Sequence, residues 1–141
     1  METVAQHVLW FVPMLWAGMV LAISFLEAPL KFRAPGITTV LGLGIGRVVF
    51  AALERVQLVL AVLLLAAAAV LGPGAAVWAW LGFAVALLAV QVFVIRPPLA
   101  RRSDRVLAGA ELPRSHAHYW YIGAEVLKLV ALFGLAIVAA A

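Results

Sequence analysis

Two sets of residues in this chain combine types and spacing that suit chemistry inside a helix bundle. Arg47, Phe50, Glu54 and Gln57 stand at relative positions 0, 3, 7 and 10, and His118, Tyr121, Glu125 and Lys128 repeat that spacing. Residues spaced this way share one face of an α-helix. Each set offers a basic or titratable group, an aromatic ring, a carboxylate and a polar end. In an apolar surrounding such groups bind a polar ligand or relay a proton. Glu27 and Gln91 fall in otherwise apolar stretches and join them as candidates.

The elements that must position these groups follow from composition. Of 141 residues, 67% are hydrophobic and 11% charged, against roughly 45–50% and about 25% in soluble domains. Mean hydropathy is +1.18. A soluble domain of this size cannot hide that much apolar surface, which excludes soluble globular, disordered and coiled-coil classes. Cysteine is absent, which removes disulfides, thiol nucleophiles and Cys-based metal sites. Val8–Leu26, Leu58–Leu71 with Val48–Leu53 before it, Ala75–Ile95 and Ala117–Ala141 are long apolar runs. They lack the alternation of barrel strands.

The expectation is an all-α integral membrane protein, one transmembrane domain over 1–141. Its four helices are expected near 4–27, 37–71, 75–96 and 115–141. The second, at 1.5 Å per residue, would run about 52 Å, so its first part should lie at the interface or tilt. A short separate helix, Ser103–Leu112, is expected with Ser103 as N-cap and Pro113 as stop. Nothing basic precedes the first span, so it reads as a retained helix containing Pro13, not a cleaved signal.

Charge orients the helices. Lys31, Arg33 and Arg47 follow the first span, and Arg96, Arg101, Arg102, Arg105 and Arg114 follow the third. The Gly72-Pro73-Gly74 turn carries no charge. The positive-inside rule places both basic segments in the cytoplasm and both termini outside. Arg101, Arg102 and Arg105 then act as topology signals or touch anionic lipid.

The halves resemble each other. Pro29-Leu30-x-x-Arg33 matches Pro98-Leu99-x-x-Arg102, and Glu54-x-x-Gln57-Leu58-Val59 matches Glu125-x-x-Lys128-Leu129-Val130. This suggests two hairpins duplicated in parallel about an axis along the membrane normal. The duplication aligns the two stripes, places helices 2 and 4 opposite each other, and makes Glu27 equivalent to Arg96 with opposite charge.

Lys128 falls about 15 Å along the helix from His118, near mid-membrane, where a charge costs about 2.5–3.5 kcal/mol. Glu125 and Lys128, as i, i+3 neighbours, can neutralise each other. Removing both together should then leave folding at least as good. The functional alternative is a cytoplasm-facing polar pocket of Glu27, Arg47, Glu54, Gln91, His118, Tyr121, Glu125 and Lys128. No metal site is expected. His116 and His118 point about 200° apart on a helix, His7 sits at the other membrane face, and HExxH and clustered methionines are absent. Ser24, Ser103 and Ser115 lack a matching His and acid. Gly42 and Gly46 form a GxxxG pair suited to close helix packing, and no Lys-Ser/Thr follows to make a P-loop. The five tryptophans fit interface anchoring.

Leu15-Trp16-Ala17-Gly18, Glu27-Ala28-Pro29 with Phe32, Gly46-Arg47-x-x-Phe50, and His116/His118 ahead of Glu125 and Lys128 resemble small four-helix bacterial membrane proteins related to transmembrane protein 205. More distantly they are similar to the copper-resistance D domain and the haem-binding membrane protoporphyrinogen oxidase. The first resemblance implies a polytopic protein of the bacterial cytoplasmic membrane linked to handling of toxic compounds. The second implies haem, with His7 as the one candidate ligand in helix 1. The expected function is binding or transport through the pocket, with membrane lipids as partners, a homo-oligomer joined through GxxxG, and no nucleic acid. The alternatives are a membrane enzyme, using haem or acid–base chemistry by Glu54, Glu125 and His118 on a lipid-like substrate, and a structural subunit of a larger complex.

Overall fold

A computed structural model of the chain describes residues 1–112 and 116–141. Pro113, Arg114 and Ser115, with the helix stop and the basic charge read at the first two, lie outside the described residues. The described residues form four helices: α1 (Glu2–Arg33), α2 (Thr39–Leu71), α3 (Ala75–Leu107) and α4 (Ala117–Ala140). All four are long and apolar enough to cross a membrane, which suggests a multi-pass membrane protein.

Local chemistry sets the ends. Thr38 caps α2, its Oγ1 accepting from the Leu41 amide at 3.1 Å. Gly72 ends α2 in the left-handed conformation, φ 56° and ψ 50°, which glycine adopts without penalty. Pro73 follows and α3 starts at once. Successive helices therefore run antiparallel, with both termini at one end and nearly all the cations toward the other.

α1 ends in a 3-10 turn at Lys31–Arg33, and α1 and α3 contain one π turn each, at Leu21–Glu27 and Gln91–Ile95. The two π turns begin 70 residues apart. Each stands just ahead of proline: Pro29 in α1, Pro97 and Pro98 in α3. A proline ring clashes with the carbonyl four residues back. Widening the preceding turn relieves the clash, and the Ala28 and Arg96 amides bond five residues back, to Ile23 and Gln91. This corrects two expectations. α3 does not stop near residue 96 but continues to Leu107, and Ser103 is an interior residue of that helix, not the cap of a separate one.

α1 packs closely on α2 and α4, and α4 on α3. α2 and α3 touch more loosely, and α2 lies diagonally across from α4. The end near the termini is a dry core, in which Leu9, Val12, Leu64, Leu81, Leu132 and Leu135 recur at helical spacing. Here Trp80 lies flat on Gly134: a Cβ there would come 2.7 Å from the indole ring. Gly134→Val is expected to cost about 1–3 kcal/mol by overpacking, read as a lower melting temperature in detergent. Gly18→Ala, with nothing within 4 Å of the new Cβ, should be neutral or mildly stabilising.

A 33-residue helix is about 50 Å long and α4 about 36 Å. Phe50 of α2 meets Tyr121 of α4 edge-on, ring centroids 5.7 Å apart. Below that level α2 continues for about two more turns than α4. The missing turns of α4 leave room at the basic end of the bundle.

Candidate functional site

Midway along the bundle three helices contribute to one buried polar cluster. The Lys128 ammonium donates to Gln91 Oε1 at 2.5 Å and to Glu125 Oε1 at 2.6 Å. Gln91 Nε2 donates to the same Glu125 oxygen at 2.6 Å. Ser24 Oγ donates to Glu125 Oε2 at 2.8 Å. Glu125 and Lys128 are fully buried. The i, i+3 pair read from the sequence is present, but α1 and α3 complete it. A buried pair is tolerated when further hydrogen bonds satisfy its remaining atoms. Nearby, Trp16 Nε1 donates to Gln57 Oε1 at 2.8 Å. Trp16 is wholly buried, so it links α1 to α2 and is not an interface anchor. Trp10 and Trp120 are exposed, as anchors are.

Between this cluster and the basic end the helices enclose a cavity of about 660 Å³. Of the expected pocket residues, Arg47, His118, Tyr121 and Glu125 line it. Glu27, Glu54, Gln91 and Lys128 do not. Gln91 and Lys128 are sealed in the cluster above. Glu54 accepts from Arg96 Nη1 at 2.6 Å, and Glu27 lies 3.6 Å from the Lys31 ammonium. In both pairs the cation, not the carboxylate, lines the cavity. Arg47 likewise is paired with Asp104, which stays out of the lining. The α2 stripe thus splits, with Arg47 and Glu54 reaching α3 and Gln57 reaching α1.

The walls correct a third expectation, that the pocket is polar. Its surface is mainly apolar, with Phe25, Phe32, Phe50, Leu99, Val106 and Ile122 in the lining, Lys31, Arg47, Arg96 and Arg102 among them, and Glu125 at one end. Lys31, Arg96 and Arg102 went unread as site residues because positive charge near a span end already has a topological meaning. Ser24 went unread because a lone serine gives no signal of its partner.

Gly42 and Gly46 also have a different use. Both are buried within the chain. A Cβ on Gly42 would overlap the Phe32 ring, and one on Gly46 would come 2.8 Å from the Lys31 ammonium. The GxxxG face is occupied by α1 of the same molecule, so it offers no contact to a second copy. The Lys31 ammonium lies 5.6 and 5.7 Å from the Phe32 and Phe50 ring centroids, within cation–π range.

His7 is exposed near the termini, its Nδ1 2.6 Å from the Thr3 carbonyl oxygen. It does not present an inward axial ligand, so the residues do not fit the haem that the distant resemblance implies. His116 is exposed and lies against Tyr119. Among the described residues no group of three or more His, Asp or Glu is placed to hold a metal ion.

No protein-family model matches the chain, and no match was found among curated proteins or solved structures.

Proposed function

We propose that this is a multi-pass membrane protein of the binding or transport type whose ligand occupies the cavity at the basic end. The observation that carries this reading is the cavity itself. At about 660 Å³ it falls within the roughly 300–1,000 Å³ of small-molecule sites, and it has their makeup of apolar walls with a few convergent polar groups. It lies within one chain, so binding needs no second copy. We take the basic end as cytoplasmic and both termini as outside, because the cations gather there and the Gly72-Pro73-Gly74 turn has none. The sequence resemblance supports a bacterial cytoplasmic membrane. Parallel duplication of a two-helix hairpin is supported by the aligned stripes and by π turns 70 residues apart. An acid–base enzyme is less well supported, since both Glu125 oxygens are committed to three donors.

Ala100 lines the cavity from α3. Ala100→Trp should obstruct it and sharply weaken binding of a fluorescent amphiphile to the purified protein, with the melting temperature little changed. Undiminished binding would overturn the reading. The orientation has a clean test because the chain lacks cysteine. A single cysteine in Pro73→Cys should react with an impermeant maleimide in intact cells, and one in Arg101→Cys only after permeabilisation. The reverse pattern would invert the topology.

A further inference from the structure

We infer that the ligand is an anionic amphiphile, a single apolar chain bearing a phosphate or carboxylate head, which enters sideways from the bilayer. This rests on the cavity being a ligand site and names its chemistry. Lys31, Arg47, Arg96 and Arg102 line the cavity, and among the described residues Glu125 is the one lining carboxylate. Glu125 is already bonded to Ser24, Gln91 and Lys128. The carboxylates of Glu27, Glu54 and Asp104 contact Lys31, Arg96 and Arg47 from outside the lining. They hold the cations in place without facing the cavity. A ligand therefore meets positive charge, and guanidinium and ammonium groups bind phosphate and carboxylate oxygens through charge-assisted hydrogen bonds. A soluble anion would leave the phenylalanine and leucine walls wet. An uncharged lipid would gain nothing from the cations in the wall.

The route follows from which lining residues are exposed. Phe25, Pro29 and Phe32 of α1, Arg47 of α2 and His118 of α4 line the cavity and are also exposed. The cavity thus opens along α1, from Phe25 down to the basic end at Arg47 and His118. Phe25 stands next to Ser24, so the mouth starts near the level of the buried polar cluster. Its rim is apolar at Phe25, Pro29 and Phe32 and basic at Arg47, which admits a lipid chain from the bilayer side with its head at the basic end.

Native mass spectrometry of the protein in detergent tests this with oleoyl lysophosphatidate, monoolein and inorganic phosphate as probes. Wild type should bind lysophosphatidate at least about tenfold more tightly than monoolein, the worth of one or two charge-assisted bonds, and inorganic phosphate far more weakly. The Glu27→Gln/Lys31→Gln variant removes one charge of each sign and leaves net charge unchanged. It should cut the preference for lysophosphatidate over monoolein by about threefold to tenfold. Arg102→Gln should act in the same direction and serves if the double variant does not fold. Equal wild-type binding of the two oleoyl probes, both sharply weakened in Ala100→Trp, would overturn the anionic class while the cavity reading stands. Binding of both unchanged in Ala100→Trp would overturn the cavity reading itself. Phosphate binding as tight as lysophosphatidate would make the ligand a soluble anion and overturn the amphiphile.

Discussion

Lys128→Leu is expected to destabilise the protein by about 3–5 kcal/mol, because it strands the Glu125 carboxylate in a fully buried position. The measurement is thermal unfolding in detergent, followed by tryptophan fluorescence. The pair considered alone predicts that Glu125→Leu/Lys128→Leu would be as stable as wild type. The cluster changes that expectation. Gln91 donates to Glu125 and accepts from Lys128, so the double variant leaves a buried amide with both partners gone, at about 1–3 kcal/mol. Only the triple variant with Gln91→Leu should recover full stability, leaving Ser24, which lies at the cavity edge. The ordering expected is Lys128→Leu least stable, the double variant intermediate, and the triple variant equal to or above wild type. A double variant as stable as the triple would mean that Gln91 is satisfied by other groups and that the cluster is only a helix-internal pair.

Trp16→Ala should cost about as much, roughly 3–5 kcal/mol, for a different reason. Trp16 is the largest fully buried side chain, set among the leucines and valines of the dry core. In a bilayer the lost contacts are not replaced by a gain of hydrophobic burial, since lipid is as apolar as the core. The cost is lost packing and a void. Trp16→Phe keeps most of the ring volume but leaves Gln57 Oε1 without its 2.8 Å donor, for about 1–2 kcal/mol. A Trp16→Phe variant as damaging as Trp16→Ala would assign the whole effect to the hydrogen bond. Trp10→Ala, on the exposed side of the same helix, should change the melting temperature little.

Four long apolar helices, the charge-free turn at Gly72-Pro73-Gly74 and the Glu125–Lys128 pair were all legible in the sequence. Each rests on a local property: hydropathy over about twenty residues, glycine and proline at a chain reversal, or spacing along one helix. What the stripes do was not legible, because spacing shows which residues share a face and not which helix that face meets. Only the tertiary structure sends Gln57 to Trp16, Glu54 to Arg96 and Arg47 to Asp104, and brings Ser24 and Gln91 to Glu125. It also gives the GxxxG face to Phe32 and Lys31 of the same chain, which a glycine pattern alone cannot distinguish from a contact between copies. The cavity arises from differences in reach: the third helix was expected to end near residue 96, yet the π turn before Pro97 and Pro98 lets it run on to Leu107. A proline disrupts one hydrogen bond locally, and whether the helix stops or widens there is decided by what the continuing turns can pack against.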